Sequence, residues 1–178
     1  MKKYLIQFKP FLIFIGTFFA AYIVFTLIYK LYLNSFETND TDGITSFVGR
    51  NVEQLMQLFN CDIKIQKSLS HPWEEVWYNK RYIIRIIEGC NAVSIMILFA
   101  AFVIAFSGKF KTTVLFILFG ILFIHILNVL RIAILAVSLF YFPESEHILH
   151  GVLFPLVIYG VVFILWIIWV NKFSKYAK

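Results

Sequence analysis

The sequence predicts an all-α integral membrane protein, a bundle of four transmembrane helices carrying a small external amphipathic helix and short strands. Three observations predict it. The 178 residues are 61% hydrophobic, whereas soluble domains run near half apolar. Twenty-one phenylalanines stand against four prolines and eight glycines, a balance suited to long lipid-facing helices. Four apolar runs, Phe11–Leu33, Ile86–Ser107, Thr113–Phe140 and Ile148–Val170, reach the roughly 20 residues that cross ~30 Å of hydrocarbon.

The first run follows a basic start (Lys2, Lys3, Lys9). It is too long for the apolar core of a cleaved signal peptide, and no small-residue cleavage site follows it, so residues 1–33 read as a retained signal-anchor helix. Residues 34–85 are the one sizeable polar segment. Within it, ITSFVGRNVEQLMQLFN spaces Ile44, Phe47, Val48, Val52, Leu55, Met56 and Phe59 three and four apart, the stripe of an amphipathic helix. Such a helix lies in the interface or docks on the span ends, and packing is its favoured role over a substrate groove. DIKIQKSL then alternates, and EEVWYNKRYIIRII reads as two short strands around an Asn-Lys turn. Trp73, Trp77, Tyr78 and Tyr82 suit headgroup level. Residues 86–170 hold the other three spans as a membrane core, and 171–178 form a basic tail. There is no internal repeat, glycine-rich phosphate loop or lipidation box.

Orientation follows from the lysines. Lys2, Lys3 and Lys9 precede the first span, Lys109 and Lys111 join the second to the third, and Lys172, Lys175 and Lys178 follow the fourth. All fall on one side of a four-span chain, and the positive-inside rule makes that side cytoplasmic. Every acid lies elsewhere in the sequence. The expectation is a multi-pass protein of the cell inner membrane with both termini cytoplasmic and residues 34–85 and 141–147 outside. The net charge of +6 is this topology signal and gives no reason to expect nucleic-acid binding.

Polar side chains in spans are costly and therefore functional candidates. Cys90 sits about one turn inside the outer end of the second expected span, Arg131 lies toward the outer end of the third, and His147 opens the fourth. A thiolate attacks carbonyls when a base or cation supports it, an imidazole shuttles the proton, and a guanidinium stabilises the thiolate or an oxyanion. Blander readings stand beside this one. Cys90 can be a buried small hydrophobe or form a disulfide with Cys61. Arg131 can pair with Glu88 or with helix-end carbonyls. Asn128 and His125 extend Arg131 into a polar stripe of the kind that joins helices, and His150 is a close rival to His147. Cys90, His147 and His150 lack the spacing of a closed metal site, and no cofactor is expected.

Three motifs together resemble the exosortase/archaeosortase family of membrane transpeptidases, and in particular the short type-F exosortases of Bacteroidetes. EGCNAVS (88–94) is similar to the family's Cys-Ser-Gly box, with Asn91-Ala92 in place of Ser-Gly. NVLR (128–131) is similar to its Asn-x-x-Arg box, and HILHGVLF (147–154) to its His-x-x-x-Gly box. The resemblance covers residues 70–170 and implies Cys90 as nucleophile, Arg131 and His147 as its partners, and Asn128 and Gly151 as the other box residues; Glu88 and His150, read from the residues themselves, stand beside them as supporting candidates. It implies cleavage of C-terminal sorting signals, each a short motif, a hydrophobic helix and a basic cluster, on exported proteins at the outer face of the inner membrane. Many members have about eight spans, so this chain reads as a catalytic core, with room for a membrane partner subunit beside lipids and substrate. The alternative is a non-catalytic membrane subunit that assists assembly of an envelope export or sorting system. A thiol oxidoreductase fits less well, because Cys61 and Cys90 are far from a Cys-x-x-Cys pair. A transporter fits less well still.

Overall fold

The structure, a computed structural model, describes residues 8–174 apart from 38 and 107. Lys2, Lys3, Lys175 and Lys178, four of the lysines behind the orientation argument, lie outside the described residues, as does Ser107. Helix α1 spans Lys9–Leu33 with Pro10 in its first turn, where a missing N–H costs nothing. Helix α2 spans Gly43–Leu58 and is capped by Asp42, which accepts from the Ile44 and Thr45 N–H groups at 3.0 Å each. This is the amphipathic helix of the sequence reading. Strands β1 (Ile63–Lys67), β2 (Glu74–Tyr78) and β3 (Arg81–Ile86) form one antiparallel sheet in the order β1-β2-β3. The Asn79-Lys80 turn joining β2 to β3 holds both residues at left-handed φ, 49° and 63°, as the twist of a two-residue hairpin requires.

A short turn over Glu88–Cys90 leads into α3 (Val93–Ala105), followed by α4 (Phe110–Tyr141). A last helical run, Pro143–Lys172, opens with short turns, widens to a π turn at Leu149–Leu153 and continues as α5 (Phe154–Lys172). Three helices are therefore long and apolar enough to cross a membrane: α1, α4 and the Pro143–Lys172 run. They point to a membrane protein.

The expected span over Ile86–Ser107 does not form as such. Its helix is α3, with 13 residues, or ~20 Å at 1.5 Å per residue. The apolar residues before it belong to β3, where isoleucines pair with β2. Two features then delay the helix. Ala92 adopts φ 64°, ψ 10°, which no helix can include, and Asn91 Oδ1 accepts the Val93 N–H at 2.9 Å.

Contacts fix which ends lie together. Phe14 of α1 packs on Phe102 and Phe106, at ring-centroid distances of 5.8 and 4.5 Å. Gly108 bridges to Ser174. The start of α1, the α3–α4 link and the end of α5 therefore share one end, with Lys9, Lys109, Lys111 and Lys172. At that end α3, α4 and α5 enclose Phe99, Val103, Ile124, Val162, Leu165 and Trp169. At the other end α2 and the sheet close over α4 through Val48, Val52, Met56, Ile63, Val76, Ile86, Ile132 and Ala136. Phe19, Ile23, Leu27 and Leu31 of α1 and Leu115, Leu118 and Leu122 of α4 are left exposed, as lipid contact demands.

Candidate functional site

The EGCNAVS segment is a turn clamped by three helices. Cys90 N–H donates to Ile87 O at 2.8 Å and Asn91 N–H to Glu88 O at 3.2 Å. Asn91, 2% exposed, donates through Nδ2 to the Tyr29 hydroxyl on α1 (2.8 Å) and to Thr45 Oγ1 on α2 (3.2 Å). Thr45 Oγ1 in turn donates to the Asp42 cap. From α4, the fully buried Asn128 donates Nδ2 to Cys90 O at 2.7 Å. Cys90 thus lies in the turn ahead of α3, not one turn inside a span. Its backbone is held at the carbonyl while the side chain stays partly exposed.

A cavity of about 350 Å³ opens beside the turn. Its lining includes Cys90 and Ile87, residues 82–85 of β3, Leu135 and Leu139 of α4, and Glu146 and His150. His150 is therefore the histidine that shares a cavity with the thiol. His147, exposed, lies one residue beyond Glu146 and is not part of that lining. The face follows from helical spacing: Glu146 and His150 are four apart, and residues four apart stack on one side. The π turn at Leu149–Leu153, closed by Phe154 N–H to Leu149 O, sits at His150 itself. Pro155, which brings no N–H to the Gly151 carbonyl, accounts for a widened turn there.

Arg131 stands four residues before Leu135 and eight before Leu139, so it continues the α4 face that lines the cavity. Its Nε is buried without a hydrogen-bond partner, and so is Asn128 Oδ1 one turn below. A buried donor and a buried acceptor left open on one helix face are uncommon in folded chains. Arg131 forms no ion pair with Glu88: among the described residues the ion pair is Lys67–Asp40, 2.8 Å apart on the surface. Glu88 borders a different cavity, with Asp42 and Gly89. Gly151 is exposed and a Cβ there would meet nothing within 4 Å, so packing gives no reason for the glycine. Both cysteines are free thiols. Among the described residues no group of three His, Cys, Asp or Glu side chains is placed to hold a metal.

His125 serves the helix–helix contact. Its Nε2 lies 2.9 Å from Asn51 Nδ2 of α2, and its ring stacks on Phe47 at 5.3 Å. Sequence reasoning missed Asn51, Asn91, Thr45 and Tyr29 as supports. A polar residue after the cysteine was visible, but its partners lie 46 and 62 positions away.

No protein-family model matches the chain, and comparisons with characterised proteins and with solved structures return no match. The fold and the site define a class on their own terms. This is a small helical membrane protein with a free thiol and an imidazole opening onto one cavity, under a three-stranded sheet.

Proposed function

We propose that the protein is an exosortase-like membrane cysteine transpeptidase or protease. The observation that carries this reading is the shared cavity of Cys90 and His150, bordered by the α4 face that continues to Arg131. Cys90 Sγ attacks a substrate carbonyl carbon as its proton passes to the imidazole. The oxyanion of the tetrahedral intermediate is met by the Arg131 guanidinium, which stands one turn from the cavity lining and whose buried Nε has no hydrogen-bond partner. The C–N bond breaks, the leaving amine takes the proton from the imidazolium, and a thioester remains. An incoming amine, or water, then attacks the thioester and releases Cys90 as the thiol. Asn128 holds the Cys90 carbonyl, and the role that the sequence resemblance gives to His147 passes to His150.

Depth supports the location. Asn128 stands 18 residues above Phe110 on α4, a rise of ~27 Å, close to the ~30 Å of a hydrocarbon core. With Lys109 and Lys111 at the cytoplasmic boundary, Cys90 lies at the outer one, where a peptide emerges from the bilayer. The substrates are exported proteins with a C-terminal hydrophobic sorting helix, the localisation is the inner membrane with both termini cytoplasmic, and the site faces the periplasm.

Thiol labelling tests the reading. In membranes carrying Cys61→Ser, an impermeant maleimide should modify Cys90 from outside faster than a free thiol at the same pH. Arg131→Ala should slow it roughly tenfold. His150→Ala should lower processing of tail-bearing precursors by about a hundredfold or more, with His147→Ala close to wild type. Labelling at the free-thiol rate in every variant, or processing that survives Cys90→Ala, would overturn it and leave the non-catalytic subunit.

A further inference from the structure

We infer that the polypeptide handled at Cys90 is held as a fourth strand on the free edge of β3. The inference rests on the reading of Cys90 as nucleophile and supplies the recognition step that reading lacks. Strand β3 is one of the two edge strands of the sheet and pairs only with β2 among the described residues. The two-residue turn makes Tyr78–Arg81 the closing pair, and antiparallel pairs alternate between bonded and non-bonded. The next pair, Trp77–Tyr82, and after the bulge at Ile83 the pair Glu75–Arg85, therefore turn their outer-strand N–H and C=O groups away from β2. The extra residue keeps Tyr82 and Arg85 in phase.

The cavity lies along this edge. Tyr82 and Arg85 stand on the Trp77 and Glu75 face of the sheet, while Ile84 stands opposite the buried Val76. All three border the cavity that holds Cys90. Side chains alternate across a strand, so a space touched from both faces is reached past the backbone edge. An added strand sits ~4.8 Å from β3. It meets Leu135 and Leu139 with one set of side chains and passes its backbone beside the thiol. The occupant this fits is an extended, unfolded segment of chain: main-chain hydrogen bonds supply affinity, and the apolar α4 face selects alternate side chains.

The probe is a heptapeptide of alternating threonine and valine with a central cysteine, activated as a thiopyridyl disulfide. Purified full-length Cys61→Ser protein in nanodiscs is tethered to it through Cys90. Hydrogen exchange at the Tyr82 and Arg85 amides should slow about tenfold relative to the untethered protein. An analogue N-methylated at every residue should tether equally and protect neither amide. Equal protection by both peptides, no protection despite full tethering, or failure to tether would each overturn the inference. So would protection of both amides before peptide is added in a particle that light scattering shows to hold two copies, since the edge would then belong to a second chain. Failure here is separable from failure of the nucleophile reading: Arg131-dependent maleimide labelling needs no peptide, and strand protection needs no catalysis.

Discussion

Ala92 shows how much one residue carries. It occupies φ 64°, ψ 10° and is 5% exposed, directly between the Cys90 turn and α3. The left-handed region costs a residue with a Cβ roughly 1–2 kcal/mol, and burying a methyl offsets ~0.8 kcal/mol of that. Ala92→Gly should therefore move the unfolding free energy in mixed micelles by less than about 1 kcal/mol. Ala92→Val should lower it by more than about 2 kcal/mol, because a β-branched side chain at positive φ is a steric outlier. A valine variant as stable as wild type would show that the turn is not strained. The Ala92 φ of 64° is one that glycine adopts without strain. Cys90 could be singled out in the sequence because a thiol beside an apolar run is locally conspicuous. The clamp on that thiol was not. Asn91 meets Tyr29 and Thr45 only after three helices have come together, and no local pattern encodes that meeting.

Among the elements, the α3–α4 contact is set by an absence of atoms. A Cβ on Gly120 would fall 2.2 Å from the Phe99 ring, and that ring is fully buried. It has no room to swing aside. Gly120→Ala should cost about 1–3 kcal/mol by overpacking, read as a lower midpoint in a denaturant titration of the micelle-bound protein, and Gly120→Ala with Phe99→Leu should recover most of it. A single variant of wild-type stability would mean that the two helices slide freely. Element boundaries were unevenly legible. The hairpin could be read because Asn79-Lys80 separates two runs of strand formers, and α2 because its apolar stripe has helical period. The onset of α3 could not be read. RYIIRII joined to the following apolar residues makes one continuous hydrophobic stretch, which hydropathy cannot divide into strand and helix. The phase of the last helix was equally hidden, since Pro155 signals a disturbance without saying that a π turn will absorb it at His150.

The whole molecule is uneven in height. Helix α4 has 32 residues, ~48 Å of helix, and α3 beside it spans ~20 Å, short of a ~30 Å hydrocarbon core. The overhang of α4 gives α2 and the sheet a post to stand against, and the shortfall of α3 places the Cys90 turn at the foot of that post. Helix α3 packs among α1, α4 and α5, with Ser94 its one exposed residue, so a thicker bilayer reaches the Cys90 turn through the lipid around the bundle. Reconstitution in phosphatidylcholine vesicles of increasing acyl length should slow maleimide modification of Cys90 severalfold between C14:1 and C22:1 chains. A rate independent of thickness would show that the turn is already clear of the hydrocarbon. By stopping α3 short, the chain leaves the Cys90 turn opening on the cavity beside β3, and on the acyl-transfer reading water or a polar acceptor then reaches the thiol with no channel through the bundle.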